Sequence, residues 1–197
     1  MILYLHGFRS SPKSFKARVV QKALQDAGRA HELICPQLPA SPKEAMALCL
    51  LLAERHAPDN LAIIGSSLGG FYATWLAERM GVRAVLLNPS VNPLASLEDH
   101  VGVTTAWHSS APFEFRREYI DELAELRVGQ ITAPERYFLL AATGDEVLDY
   151  RDMVMHYAGA RQRVIKGSDH AISEFAQYVD EVLAFCSQTD SVMGIGQ

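Results

Sequence analysis

The sequence has few cysteines and no residue spacing typical of a metal site. Its three cysteines, Cys35, Cys49 and Cys186, are widely separated, odd in number and set in apolar surroundings. This pattern favours buried thiols over disulfides and indicates a reducing compartment. Because neither His-x-x-x-His nor Cys-x-x-Cys occurs, we expect no bound metal ion, and nothing in the chain indicates a cofactor.

The chain also lacks a basic excess and a long apolar run. Its 197 residues carry a formal net charge of −5, so no nucleic-acid partner is expected. The first residues read as a core strand rather than as a signal peptide, and no other apolar run approaches the length of a membrane span. We therefore expect a soluble, cytoplasmic protein with no membrane span, ending in a loose tail over residues 187–197.

Short apolar runs alternate with helical segments along the chain. The predicted strands are residues 2–5, 32–35, 61–64, 84–87, 137–142 and 162–165. The predicted helices are residues 14–27, 42–56, 71–80, 118–126 and 172–185. This alternation predicts an α/β fold, a mostly parallel sheet of about six strands with helices on both faces. The length suits one such domain, covering residues 1–197, and is too short for two.

Residues 90–134 do not read as a single helical crossover between the fourth and fifth strands. The segment is long and contains Trp107, His108, Phe113 and Phe115. Long insertions in compact domains tend to be lids or binding loops, so we predict a short cap here. An ordinary crossover with irregular ends is the alternative.

A glycine-flanked serine follows the third predicted strand. The sequence reads Gly65-Ser66-Ser67-Leu68-Gly69, after an apolar run and before a helical segment. Gly-x-Ser-x-Gly in this setting is typical of a nucleophile elbow, where the flanking positions must lack side chains for the serine hydroxyl to stand free. Ser67 is therefore the candidate nucleophile, and a plain structural turn is the alternative.

A candidate acid and a candidate base follow the last two predicted strands. A serine hydroxyl is a poor nucleophile at neutral pH, so it needs a base, and the base needs a carboxylate to hold its tautomer. Asp145 and His170 are expected at the same edge of the sheet as Ser67, where parallel strands end. We predict that Asp145 orients His170 and that His170 is the base for Ser67. The chain order serine, acid, histidine is one that such triads use.

Three other carboxylates are alternatives to Asp145 as the acid. Asp145 is preferred because it follows Gly144 directly at the strand end. Asp149 is expected to begin or cap the next helix. Asp169 is poorly placed to orient the ring of its own neighbour, and Glu146 lies one position further from the strand.

The remaining histidines are expected to have other roles than the catalytic base. His31, His56 and His156 lie in or beside helices and early strands and are expected to be surface or packing residues. His100 and His108 fall in the predicted cap, where they are candidate substrate contacts.

Two backbone N–H groups are candidates for stabilising a developing oxyanion. One donor should come from the residue after the nucleophile, which is Leu68, and the other from the loop after an early strand, which is Phe8. Gly7 lets this loop approach a substrate closely. We expect His6 to hydrogen-bond loop backbone rather than to act as a base.

The motifs together resemble those of the YqiA-like small bacterial esterases. The matching stretches are His6-Gly7-Phe8, Pro36-Gln37-Leu38-Pro39, and residues 65–75, 143–151 and 169–171, so the resemblance runs over nearly the whole chain. It implies a compact α/β-hydrolase that hydrolyses carboxylic esters or thioesters with a serine triad. Carried over residue by residue, the triad is again Ser67, Asp145 and His170.

The sequence departs from that family pattern at two positions near the expected site. Arg9 stands where asparagine is expected after His-Gly-Phe, and Asp169 stands where asparagine commonly precedes the histidine. Neither change removes a member of the triad, but both alter the charge beside it.

The leading hypothesis is a serine esterase that acts on short- to medium-chain carboxylic esters or acyl thioesters through an acyl-enzyme. Its partner is then a small-molecule substrate. The alternatives are a non-catalytic protein of the same fold that binds a ligand or a partner, and an acyltransferase or perhydrolase on the same triad. The oligomeric state is left open.

Overall fold

The apolar runs of the sequence form a parallel sheet. The computed structural model describes residues 1–105 and 112–188. Within these ranges the strands are β1 (Ile2–Leu5), β2 (Leu33–Ile34), β3 (Ala62–Ser66), β4 (Arg83–Leu87), β5 (Gly102–Thr105), β6 (Pro112–Phe115), β7 (Tyr137–Ala142) and β8 (Arg161–Ile165). The helices are α1 (Phe15–Asp26), α2 (Pro42–Ala53), α3 (Leu68–Met80), α4 (Pro93–Glu98), α5 (Glu118–Glu125), α6 (Tyr150–His156) and α7 (Val179–Cys186). This is the α/β fold expected from the alternation.

Over the described residues, six parallel strands lie in the order β2-β1-β3-β4-β7-β8. The register pairs Leu5 with Gly65 and Ser66 with Leu87, so these strands end at one edge. The strand order reverses between β1 and β3, because β2 lies on one side of β1 and the other four strands of this sheet lie on the other. Ligands of open α/β sheets bind at such a reversal, beyond the carboxyl ends of the strands.

Both faces of the sheet are buried, which explains why its strands read as nearly continuous apolar runs. Leu3 and Leu5 face a core that includes α2, α3 and α6. Ile2 and Tyr4, which alternate with them, face a second core formed with α1 and α7. The predicted helices on both faces are therefore present.

The last predicted helix begins later than predicted, at Val179. In place of one helix over residues 172–185, a 3₁₀ turn (Phe175–Gln177) precedes α7. The fully buried Ile172 has φ of 49°, which is not a helical conformation, so the helix begins only after this residue and the 3₁₀ turn.

Residues 90–134 contain more regular structure than the sequence indicates. The antiparallel hairpin β5–β6 and the short helix α4 accompany α5, which begins where it was predicted. Glu122 of α5 anchors the segment to α2, because its carboxylate accepts hydrogen bonds from Ser41 Oγ at 2.7 Å and from the backbone N–H of Lys43 at 3.0 Å. Trp107 and His108 lie outside the described residues.

All three cysteines are free thiols, but only Cys49 is fully buried, whereas Cys35 and Cys186 are half-buried. No helix in residues 1–105 or 112–188 is long and apolar enough to cross a membrane. The predicted tail lies mostly beyond residue 188 and so outside the described part of the chain.

Candidate active site

Ser67 lies in a sharp turn between β3 and α3. Its backbone has φ of 55° and ψ of −122°, a conformation that L-residues rarely adopt. The turn is crowded: a Cβ on Gly65 would lie 2.6 Å from the Ala73 Cβ, and a Cβ on Gly69 would overlap the carbonyl of Leu5. The glycines are therefore required by close packing, and the serine hydroxyl stands at the start of α3.

The structure brings Ser67, His170 and Asp145 together from the ends of three strands. His170 Nε2 lies 3.1 Å from Ser67 Oγ, and His170 Nδ1 lies 2.8 Å from Asp145 Oδ2. The side chain of Asp145 has no exposed surface, and that of His170 is 21% exposed. Ser67 and His170 are thus partly exposed, whereas the acid is enclosed.

The surroundings of Asp145 hold its carboxyl in the charged form. Burial raises the pKa of Asp145, but hydrogen bonds from His170 and from the backbone N–H groups of Leu148 and Val147 outweigh it, so the pKa lies below its ordinary value. A carboxylate can only accept hydrogen bonds. Nδ1 of His170 therefore carries the proton, which leaves Nε2 as an acceptor for the Ser67 hydroxyl.

The three alternative acids have other partners. Asp149 caps α6 by accepting the backbone N–H of Arg151 at 2.9 Å. Asp169 accepts hydrogen bonds from the backbone N–H and the hydroxyl of Ser173. Glu146 accepts the backbone N–H of His170 at 3.0 Å and does not contact the ring through a hydrogen bond.

The loop after β1 lies against the nucleophile. A Cβ added to Gly7 would lie 3.2 Å from the Cβ of Ser67 and 3.6 Å from its Oγ. His6 is buried and fixes the loop, because its Nε2 accepts the backbone N–H of Leu38 at 3.1 Å. This confirms the structural role expected for His6. A small cavity of about 20 Å³ touches both Phe8 and Leu68, the two candidate oxyanion donors.

The hairpin β5–β6 packs on the same loop. The Phe8 ring makes edge-to-face contacts with Phe113 and Phe115, with ring centres 5.3 and 5.1 Å apart, and lies 5.5 Å from the ring of His100. Arg9 Nε donates a hydrogen bond to the backbone carbonyl of Thr105 at 2.7 Å. His100, a candidate substrate contact, thus lies beside the loop that carries Phe8.

Two residues that contact His170, Lys16 and Asn88, were not predicted from the sequence, and Glu146, predicted only as an alternative acid, contacts its backbone. Lys16 Nζ donates to the His170 carbonyl, Asn88 Nδ2 donates to the same carbonyl, and Glu146 accepts the His170 N–H. Lys16, Val20 and Leu24 recur at intervals of four residues, a spacing from which the buried position of the lysine on α1 could have been predicted. No comparable signal in the sequence marked the hydrogen bonds of Asn88.

A larger cavity, of about 530 Å³, is lined by residues that follow Asn88 in the chain. Its lining includes Pro89, Ser90, Leu148, Met153 and His156, but none of the residues proposed for the triad. It adjoins the site through backbone, because the Ser90 N–H donates to the Ser67 carbonyl at 3.0 Å. Among the described residues, no group of three or more His, Cys, Asp or Glu side chains could hold a metal ion.

Comparison with solved structures identifies the class of fold. Mouse alpha/beta hydrolase domain-containing protein 10 has 16% sequence identity and a TM-score of 0.68, over 93% of this chain and 89% of that one. Est1E from Butyrivibrio proteoclasticus with bound ferulic acid has 13% identity and a TM-score of 0.66, over 94% and 88%. Tomato methylketone synthase I complexed with 2-tridecanone has 12% identity and a TM-score of 0.68, over 93% and 96%. The protein has the α/β-hydrolase fold.

A sequence comparison then gives the family. Residues 1–187 match the pattern described as "Uncharacterised protein family (UPF0227)", and the chain belongs to this family. The match covers nearly the whole chain and confirms the YqiA-like resemblance of its motifs.

Proposed function

We propose that the protein is a serine hydrolase that cleaves short- to medium-chain carboxylic esters or acyl thioesters through an acyl-enzyme on Ser67. The observation that carries the proposal is the hydrogen-bonded series from Ser67 Oγ through the His170 ring to Asp145, with distances of 3.1 and 2.8 Å. A serine made nucleophilic by an oriented imidazole is suited to attack on an acyl carbon.

In the acylation step, Ser67 Oγ attacks the carbonyl carbon of the substrate while His170 Nε2 takes the hydroxyl proton. Asp145 keeps the imidazole in the required tautomer and stabilises the imidazolium that forms. The tetrahedral intermediate collapses when its bond to the leaving group breaks. The departing oxygen or sulfur takes the proton from His170 and leaves as the alcohol or thiol, and the acyl group remains on Ser67.

In the deacylation step, water replaces the alcohol. His170 takes a proton from the water, the hydroxide attacks the acyl carbon, and the bond to Ser67 Oγ breaks as the proton returns to that oxygen. In both steps the negative charge on the carbonyl oxygen needs preorganised donors. We assign this role to the backbone N–H groups of Phe8 and Leu68; the assignment is supported by the small cavity that both residues line.

We infer that residues 90–134 form a cap over this site in a single-domain protein. Support comes from the contacts of Phe113 and Phe115 with Phe8, which put the hairpin against the proposed oxyanion loop. The acyl or alcohol group of a substrate would meet this segment. Free thiols at all three cysteines agree with action in the reducing cytoplasm.

The proposal is tested with p-nitrophenyl butyrate and a fluorophosphonate probe on the purified protein. Wild type should hydrolyse the ester and take up one equivalent of probe, and Ser67→Ala should do neither. Ser66→Ala, which changes the neighbouring serine, is the matched control and should keep probe labelling. Full ester hydrolysis by Ser67→Ala would refute the proposal.

Two other outcomes would point to the alternative functions. A folded wild-type protein that neither labels nor hydrolyses any ester or acyl-CoA thioester of a chain-length series would favour a ligand-binding role. A product that carries the acyl group on an added alcohol or on hydrogen peroxide, in preference to water, would favour acyl transfer or perhydrolysis.

A further inference from the structure

The peptide unit of His170 is held by side chains from three other parts of the chain. Its carbonyl oxygen accepts two hydrogen bonds, from Lys16 Nζ at 3.0 Å and from Asn88 Nδ2 at 3.1 Å. Its N–H donates to Glu146 Oε2 at 3.0 Å. The backbone on both sides of the imidazole is therefore fixed, although His170 lies in a loop.

Asn88 connects this loop to the sheet. It is fully buried after β4, and its Oδ1 accepts the backbone N–H of Ala142 at the end of β7 at 2.8 Å. Its Nδ2 donates to the carbonyls of both Asp169 and His170. Each side-chain atom of Asn88 that can hydrogen-bond is thus used, and the loop is tied to two neighbouring strands.

Lys16 places a positive charge next to the His170 carbonyl. It lies on α1 and is only 8% exposed, which is unusual for a lysine. The negative charges of three carboxylates, Asp145, Asp169 and Glu146, favour its charged form. An ammonium group is costly to bury unless nearby charges and hydrogen bonds compensate. Here the acids that surround His170 offset part of that cost.

We propose that Lys16 and Asn88 are positioning residues for His170, and that the Lys16 ammonium also balances the carboxylates around the imidazole. This inference rests on the proposed function of His170 as the base. Asn88 fixes where the ring lies between Asp145 and Ser67. Lys16 reinforces that placement and keeps the surrounding negative charge from holding the imidazole in its protonated, inactive form.

The charge of Lys16 should also affect the pH profile of ester hydrolysis. Without the lysine charge, Asp145, Glu146 and Asp169 favour the imidazolium more strongly. A protonated His170 cannot accept the Ser67 proton, so the acid limb of the pH profile moves to higher pH. Removing the Glu146 charge has the opposite effect, and the acid limb moves to lower pH.

The test measures kcat, KM and the pH profile of ester hydrolysis for Lys16→Met, Lys16→Arg and Glu146→Gln. Lys22→Met is the matched control, since Lys22 lies on the same helix with 74% of its side chain exposed. Lys16→Met should lower kcat about 10- to 100-fold with little change in KM, because misplacement of a reacting group costs that much. Its acid limb should rise by about half a pH unit or more.

Lys16→Arg should keep the acid limb of wild type, Glu146→Gln should lower it, and Lys22→Met should match wild type throughout. If Lys16→Met is not recovered folded, Lys16→Gln is measured in its place with the same expectations. A folded neutral variant with wild-type kcat and an unmoved acid limb would overturn the inference. By contrast, an inert wild-type protein would refute the proposed hydrolase function itself.

Discussion

The buried carboxylate of Asp145 lies 2.8 Å from Nδ1 of His170, and its other oxygen accepts backbone N–H groups of Val147 and Leu148 at 2.8 and 2.9 Å. Both oxygens are therefore committed, and the carboxylate cannot rotate without losing hydrogen bonds. This fixes the tautomer of the imidazole and directs Nε2 toward Ser67. These hydrogen bonds explain how the Asp145 carboxylate stays charged although its side chain has no exposed surface.

We expect Asp145→Asn to lower kcat for p-nitrophenyl butyrate by about 10⁴-fold, because an amide can stabilise the tautomer with the proton on Nε2. In that tautomer the ring cannot accept the serine proton. Asp149→Asn is the control, since Asp149 caps α6 and does not contact His170 through a hydrogen bond. Asp145→Asn with more than a tenth of wild-type kcat would show that another group orients the ring.

Ser67→Gly should give a more stable protein than Ser67→Ala, by about 1 kcal/mol in the free energy of unfolding. Both variants lack the hydroxyl, so neither should hydrolyse esters. Glycine adopts φ of 55° without a clash, whereas alanine keeps the strain that serine has. Urea unfolding of the two variants measures the difference. Equal stability would mean that the turn does not store strain.

Gly69→Ala should lower the free energy of unfolding by about 2 kcal/mol or more, because the added methyl group would overlap the Leu5 carbonyl. Gly129→Ala is the matched control, since no described atom lies within 4 Å of the position of its Cβ. Thermal and urea unfolding should show a loss for the first variant and little change for the second. Similar stabilities would contradict the close packing of α3 on β1.

Lys16 should make the free energy of unfolding depend on pH in the alkaline range. Burial lowers the pKa of Lys16 from 10.5 to about 8, despite the opposing carboxylates. Between these two values the unfolded chain binds more protons than the folded one, so the contribution of this lysine to the free energy of unfolding rises with pH. Below pH 8 both states are protonated and the full cost of burying the charge is present.

The measurement is the free energy of unfolding of wild type and Lys16→Met from pH 7.5 to pH 9.5. We expect the difference, wild type minus variant, to increase across this range. The control Lys22→Met should run parallel to wild type. A constant difference between wild type and Lys16→Met would show that Lys16 titrates normally.

Most of the fold could be predicted from the sequence, because its signals are local. Apolar runs such as Tyr137–Ala142 are strands buried on both faces, and they lie where the composition predicted them. The start of the final helix was mispredicted because the fully buried Ile172 adopts positive φ, which its residue type does not favour. The hairpin β5–β6 was missed because its alternation is short and one strand begins at Pro112.

For the candidate site, the sequence by itself determined which residues are candidates: the elbow motif selected Ser67, and strand ends followed by loops selected Asp145 and His170. Tertiary structure alone decided the distances among them and the partners of the base. Lys16 is 154 positions from His170 along the chain, and Asn88 is 82 positions away. No local pattern encodes such contacts, because they arise only when the helix α1 and the strand β4 meet the last loop at one edge of the sheet.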